Sequence, residues 1–491
     1  MEKKLILYGA GNYGERTVDI LEFHTIPIEC FCDIDPKKRG LTHKGYVIKS
    51  IEEIKNEYAK GEYQLFVTLR YPDYVTVRDD LIRHGIFESD EFYYDRLDML
   101  IERNSSDIRN YFDDSFNLNI DGYSDRSFIR LDEKGLVCAF VPIELVFTET
   151  TESSQSKHKH ITDEWIEYQS VYENIPIMKL KPHIELFTYF AHGTTLPDSY
   201  FEWYNKIFTT RGLTPDINAT QILEKRSSQY VFMQNGLINN YFPNHPPKAV
   251  YNQNGYFNLT DGHHRIVFLF IKGFNKVALC MTKRDYLNWR NDNALSPVLS
   301  IIEKTSRNDY YTPIHNPFFI NTPAYRETTS KSRLHHIVSF FMEERMRNRK
   351  VIDIGANLGY FGNHFCREGA EVICLEPDTH HHSLACSLKD LIRSGCVFRQ
   401  EHFEYFEYNG VFDIGIMLTV FYHYYNNIET RDKFIDNINR YIKSYLVWES
   451  GENYDEEREF LLSHTKFKKF HHLAYTYGTN KIRQLGVFSC R

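Results

Sequence analysis

Two carboxylates and two glycines in the C-terminal third of the chain have the types and spacing to hold a nucleoside. In Val351-Ile-Asp-Ile-Gly-Ala-Asn-Leu-Gly-Tyr-Phe361 an apolar run ends on Asp353, and Gly355 and Gly359 follow. Glycine lets a backbone turn tightly and approach a ligand closely. Asn357 tolerates an unusual backbone angle or bonds across the loop. Glu376, in Cys374-Leu-Glu-Pro-Asp378, ends a second apolar run. A carboxylate there can accept both hydroxyls of a ribose, because open α/β sheets bind ligands at the carboxyl ends of their strands. Glu401, just after a third such run, can meet an adenine edge. The Lys-Ser/Thr ending of a phosphate-cradling loop is missing. Further along, Leu418-Thr-Val-Phe-Tyr-His423 and Glu449 follow two more strand-like runs. An imidazole with an ordinary pKa suits proton removal near neutrality, so His423 is a candidate general base. Glu449 is a second candidate base or an acceptor anchor. A packing histidine and a solvated strand end are the plain alternatives. His380, His381 and His382 read as a surface run rather than a metal site.

A second glycine loop lies at the other end. Gly9-Ala-Gly11-Asn12-Tyr13-Gly14 follows a strand-like run and opens a helical one, and Asp33 comes about 20 residues on, as in dinucleotide-binding units. The middle of the chain carries Asp261-Gly262-His263-His264-Arg265 at the start of an apolar helical run. A glycine turn with His and Arg at a helix start suits a phosphate, which backbone N–H groups and a bidentate Arg can grip. Asp261 can hold a metal ion or polarise a hydroxyl. A buried polar turn without chemistry is the alternative.

The elements that must position these residues fall into three segments. At 491 residues the chain exceeds one core. Residues 1–115 form the first segment, in which short apolar runs alternate with amphipathic stretches to about residue 100, the pattern of βαβ units, and its boundary falls within the polar block Ser105–Tyr123. Residues 116–328 give an α+β pattern: strand-like pieces, a polar run at Thr148–His160, an aromatic helical part, then strand, helix and strand around the Asp261 motif. Another loop spans Asn308–Pro323. Residues 329–491 open with a helix and supply five strands plus a terminal hairpin, the makings of a seven-stranded doubly wound sheet in about 160 residues. The fold class is α/β multidomain.

A formal net charge of −8 speaks against a nucleic-acid partner. No stretch is long and apolar enough to cross a bilayer, and the N-terminal apolar run is too short for a signal peptide. The nine cysteines form no paired CxxC array, which points to reduced thiols and a cytoplasmic protein. The 35 Tyr and 36 Phe can fill cores or stack on bases and sugars, and their number alone does not decide which.

Residues 353–361 together with Glu376 resemble the cofactor loop of class I S-adenosylmethionine (SAM)-dependent methyltransferases, and the resemblance covers the third segment. It implies SAM as cofactor, with Asp353, Gly355, Asn357, Gly359, Tyr360, Phe361, Glu376, Pro377, Glu401 and Leu418 around it. The usual residue at the position of Glu401 is Asp. The first segment resembles the small Rossmann-like module attached to sugar-modifying methyltransferases, which implies a nucleotide ligand or a structural role. Asp261–Arg265 resembles the ParB/sulfiredoxin-like fold, which implies a nucleotide, ATP or CTP with Mg. Together these resemblances lead to a methyltransferase acting on a small-molecule or glycan acceptor in bacterial surface-polysaccharide synthesis. Three alternatives stay open: a bifunctional enzyme with a phosphotransferase in the middle, a tRNA methyltransferase, and a non-catalytic scaffold.

Overall fold

A computed structural model describes residues 4–23, 26–58, 63–69, 73–86, 93, 129–131, 136–150, 163–210, 218–238, 242, 245–291, 310–320, 324, 326–451, 453–478 and 481–490. The boundary expected at Ser105–Tyr123 and most of the polar run Thr148–His160 lie outside these residues. The chain divides into two compact units. One is Met1–Arg109 with Tyr475–Arg483, and the other is Asn110–Ala474 with Gln484–Arg491.

The first unit is built on β1 (Lys4–Tyr8), β2 (Ile28–Cys32), β3 (Thr42–His43), β4 (Tyr46–Lys49) and β5 (Tyr63–Val67). They form one sheet in the order β3-β4-β2-β1-β5. β1 is parallel to β2 and to β5, β2 is parallel to β4, and β3 returns antiparallel. Side chains alternate across a strand, so a sheet covered on both faces needs continuous apolar runs. Leu5, Leu7 and Phe31 pack on Val18 and Leu21, while Ile6, Tyr8 and Cys30 face Ile54 and Leu81 on the other side.

The rest of the described chain holds three sheets. β8 (Val146–Phe147), β9 (Ala249–Asn252) and β10 (Tyr256–Leu259) run in the order β8-β10-β9. β6 (Ile129–Leu131), β7 (Val137–Pro142) and β11 (Lys276–Met281) run in the order β11-β7-β6. The helix His263–Ile271 connects β10 to β11. These two strands lie in different sheets, because hydrophobic pattern locates a strand but not its partner.

The third sheet comprises β12 (Lys350–Ile354), β13 (Glu371–Leu375), β14 (Val397–Arg399), β15 (Phe412–Leu418), β16 (Ile442–Glu449), β17 (Lys469–Gly478) and β18 (Lys481–Ser489). Its order is β14-β13-β12-β15-β16-β18-β17. β12 is parallel to β13 and β15, β13 to β14, and β15 to β16, whereas β18 is antiparallel to β16. Parallel neighbours need crossovers, supplied by helices such as Tyr360–Arg367, Thr379–Leu391 and Ile428–Tyr441. The carboxyl ends of β12 to β16 therefore open on one edge.

One apolar cluster extends from Val137 through Phe268 and Phe341 to Val487, so the two small sheets and the large one share a core. The buried ion pair Lys179–Glu368 links the middle segment to the end of the helix after β12. Among the described residues no helix is long and apolar enough to cross a membrane. Nor does any group of three His, Cys, Asp or Glu among them form a metal-binding set.

Candidate active site

β12 delivers Asp353 to the carboxyl edge of the large sheet, and the loop after it curls tightly. Gly355 (φ +70), Asn357 (φ 51) and Gly359 (φ +77) all take left-handed backbone angles. Both glycines are also required sterically. A Cβ on Gly355 would lie 2.7 Å from Val420 Cγ2, and one on Gly359 would lie 2.6 Å from Phe398 Cζ. Asn is the non-glycine residue that tolerates this region best. The curl is pinned from both sides. Gly362 N–H donates to Asp353 Oδ2 at 2.9 Å, and Asn357 N–H donates to Glu376 Oε2 at 2.7 Å. Asp378 N–H donates to the other oxygen, Oε1, at 3.0 Å. Each Glu376 oxygen thus accepts one backbone bond and keeps a lone pair for a further donor. That is the chemistry a ribose diol requires, and the packing of Val420 and Phe398 against Gly355 and Gly359 keeps the curl closed behind it.

The other predicted cofactor residues take different places. Tyr360 and Phe361 are buried at the base of the loop: the Tyr360 hydroxyl donates to Glu144 Oε1 at 2.6 Å, and Arg333 lies over the Phe361 ring at 5.1 Å. Pro377 and Leu418 are half-buried at the ends of β13 and β15. Glu401 is tied to Arg399, whose Nη2 donates to Oε1 at 2.8 Å. A residue missed from the sequence, Glu404, brings a second carboxylate to the same turn. It is buried, and its Oε2 has no hydrogen-bond partner among the described residues.

Asp353 is buried, and burial pushes its carboxyl up to about 7, while the Gly362 amide and Arg333 act the other way. The sign follows from linkage. Below the ordinary Asp value of 3.8 both folded and unfolded chains are protonated. As pH rises above it only the unfolded chain ionises, so the stability contributed by this group is lost up to about pH 7 and changes no further above that. The loss amounts to about 3–5 kcal/mol. In Asp353→Asn, which keeps an acceptor for Gly362 N–H, the urea midpoint is expected to fall less between pH 5 and 7 than in the parent; parallel curves would refute the shift.

Glu449 does not stand as a general base. It ends β16 fully buried, with Arg333 Nη1 at 2.8 Å and Arg326 Nη1 at 3.2 Å from Oε2, and Arg326 Nη2 at 3.3 Å from Oε1. A carboxylate between two guanidiniums is a weak proton acceptor. Arg326 also donates to the Tyr311 hydroxyl at 3.0 Å. Burial would raise the phenol's pKa, but Arg326 and Arg333 outweigh it and hold it below its usual value. No sequence motif marks Arg326, Arg333 or Tyr311. His423 is exposed on the short helix Tyr422–Tyr425, its ring 3.9 Å from that of Tyr422. Tyr422 in turn packs where Gly451 leaves no room for a Cβ, which would sit 2.1 Å from the Tyr422 ring.

The N-terminal loop turns on its glycines, and its acid is held by neighbouring groups. Gly9 is left-handed (φ +107), and a Cβ on Gly14 would lie 2.3 Å from Gly9 O. Gly11, Asn12 and Tyr13 are exposed at the start of the helix Asn12–Phe23. Asp33, at the spacing of dinucleotide-binding units, is buried and engaged by its own loop. Ala10 N–H and Lys38 Nζ reach Oδ2, each at 2.8 Å, and Asp35 N–H reaches Oδ1 at 2.9 Å. Burial raises its pKa, and Lys38 with those amides more than offsets this, so it stays ionised and locally neutralised.

In the middle motif Gly262 is left-handed (φ +99) and caps the helix His263–Ile271. Arg265 is spoken for: it donates to Asp261 Oδ2 at 2.8 Å and to the carbonyl of His245. His264 Nε2 meets the Tyr200 hydroxyl at 2.9 Å, and the His183 ring packs 4.3 Å from the His264 ring. Burial holds both imidazoles well below their ordinary pKa, with His264 acting further on His183 and Arg226 on both. Arg226 lies over the Tyr200 ring at 5.6 Å, which brings Glu224-Lys225-Arg226 beside the motif. His263 is half-buried at the first position of the same helix.

Residues 1–90 match the family described as C2185-like, N-terminal. No curated protein matches the chain. Among solved structures, the N-methyltransferase NodS from Bradyrhizobium japonicum WM9 is 13% identical over 33% of this chain and 96% of its own, with a TM-score of 0.28. Magnesium protoporphyrin IX methyltransferase (ChlM) from Synechocystis PCC 6803 is 14% identical over 42% of this chain and 94% of its own, at 0.29. The bifunctional kinase-methyltransferase WbdD is 15% identical over 39% of this chain and 46% of its own, at 0.30. Identities and scores this low carry no functional inference.

Proposed function

We propose that the large sheet is a SAM-dependent methyltransferase acting in the cytoplasm on a sugar, sugar phosphate or nucleotide sugar of bacterial surface-polysaccharide synthesis. One observation carries the cofactor reading. The left-handed loop Gly355–Gly359 curls against Glu376, whose two oxygens are each set by one backbone amide and each keep a lone pair. The strand order, with β18 alone antiparallel to β16, accords with the doubly wound sheet that the sequence resemblance implies. Glu376 would hold the ribose, the curl would hold the amino-acid end, and Glu401 or Glu404 would meet the base. The cofactor would supply an electrophilic methyl group. Transfer depends mainly on in-line positioning, with His423 available to take a hydroxyl proton. The sugar acceptor follows from the resemblance of the first segment. Calorimetric titration of S-adenosylhomocysteine (SAH) into the full chain tests the cofactor, and the glycan methylation profile of a deletion strain tests the acceptor. Absence of binding by folded protein would end the first claim, and an unchanged profile the second.

A second reading, of ATP or CTP with Mg in the middle segment, is favoured by Arg226 and His183 flanking the helix start at Gly262. It predicts nucleotide turnover that Asp261→Ala abolishes. A nucleotide-inert protein would remove it.

A further inference from the structure

The cofactor loop is not held by the large sheet alone. Residues 310–320, which precede the helix leading into β12, form a strap that packs against the loop. Tyr310, Ile314 and Phe319 pack on Leu358 in one apolar cluster with Leu384, Leu388 and Leu391 of the helix after β13. The Thr312 hydroxyl, buried, donates to Asn357 Oδ1 at 3.1 Å. This fixes the side chain of the residue whose backbone N–H holds Glu376. At the far end of the loop, Glu144 takes the Tyr360 hydroxyl at 2.6 Å from within the middle segment. His315 of the strap lies 3.3 Å from Arg367, at the other end of the helix that Tyr360 opens. The strap is itself anchored, since Asn316 Nδ2 donates to the carbonyls of Trp289 and Arg290, each at 3.3 Å.

We infer that Thr312 and Glu144 are positioning residues that set the curl of the cofactor loop from outside the large sheet. Two hydrogen bonds grip its two ends, at Asn357 and Tyr360, and Leu358 is pressed between them. A left-handed non-glycine residue is populated only where its surroundings over-determine it. Here Thr312 and Glu376 together do that for Asn357. Affinity for the cofactor is then a joint property of the middle and C-terminal segments, and any ligand that shifts Glu144 or the strap acts on the loop directly.

The inference rests on reading the loop as a SAM site for its affinity test, but not for its structural test. In the full chain, Thr312→Val and Glu144→Leu, each of which removes the hydrogen-bonding group, are expected to weaken SAH binding about three- to tenfold, the effect of a partly transmitted buried hydrogen bond. Thr312→Ser restores the hydroxyl and the affinity. Combining Glu144→Leu with Tyr360→Phe adds nothing to Glu144→Leu alone, because both remove the same bond. Lys181→Ala breaks a surface ion pair to Glu343 between the same segments and leaves the affinity as it was. Hydrogen exchange at the Asn357 and Gly362 amides, without ligand, speeds up in Thr312→Val and Glu144→Leu but not in Lys181→Ala. Unchanged exchange in both overturns the inference, as does unchanged SAH affinity in a parent that binds it. Faster exchange in a parent that binds no SAH upholds the clamp and overturns the cofactor reading.

Discussion

Glu449→Gln is expected to destabilise the second unit by about 3–5 kcal/mol, the largest single-residue effect foreseen in the chain. The carboxylate lies between Arg326 and Arg333, and all three side chains are essentially out of water. Removing its charge leaves two buried guanidiniums facing one another. Arginine does not escape by losing its proton at neutral pH, because its intrinsic pKa is too high. Burial and Arg326 together bring Arg333 down only to about 10. The nearest group able to compensate is the Tyr311 phenol, already held below its usual pKa by the same arginines. Tyrosinate absorbance should therefore appear at lower pH in Glu449→Gln than in the parent. Exchanging all three charged residues together for Met, Met and Leu should cost less than Glu449→Gln alone, since no charge is then stranded. Denaturant unfolding of the parent, the single variant and the triple variant decides this. A single variant as stable as the parent would mean that water or an anion reaches the cluster.

The glycine loop and the strands of the large sheet were legible because their signals are local. Strand runs bounded by glycine and a carboxylate at each strand end are features of a few consecutive residues. What the sequence did not disclose was pairing at a distance. Glu449 looks like an exposed strand end until Arg326 and Arg333 close on it from a helix more than a hundred residues earlier. Asp33 has the spacing of dinucleotide-binding units, but its ion pair with Lys38, only five residues on, is not legible from that spacing. Spacing reports which residues can reach a site, whereas electrostatic competition decides which face it. The middle segment shows the same limit. Its helix and strands are visible as runs, but β10 and β11 joining separate sheets depends on β7, far away in sequence. Thr312 and Glu144 carry no motif at all and matter only through what they touch.

Glu376→Ala should weaken SAH binding by about a hundredfold or more, while Glu376→Gln should lose less. The carboxylate has two tasks that a titration can separate. Towards the protein it accepts Asn357 N–H on one oxygen and Asp378 N–H on the other. Towards a ligand it offers one lone pair per oxygen to two adjacent hydroxyls. Hydrogen bonds to a charged acceptor contribute about 1.5–3 kcal/mol each, so two of them account for a loss of this size. Glutamine keeps one carbonyl acceptor and turns the other position into a donor, which loses either the Asp378 or the Asn357 contact, while the facing hydroxyl can turn to accept. Adenosine, which has the diol, and 2′-deoxyadenosine, which lacks half of it, then become the discriminating probes. The parent should prefer adenosine about tenfold, and Glu376→Ala should bind both equally weakly, because a diol gains nothing where no acceptor remains. Equal binding of the two nucleosides by the parent would place the ribose away from Glu376 and leave the carboxylate as a loop anchor only.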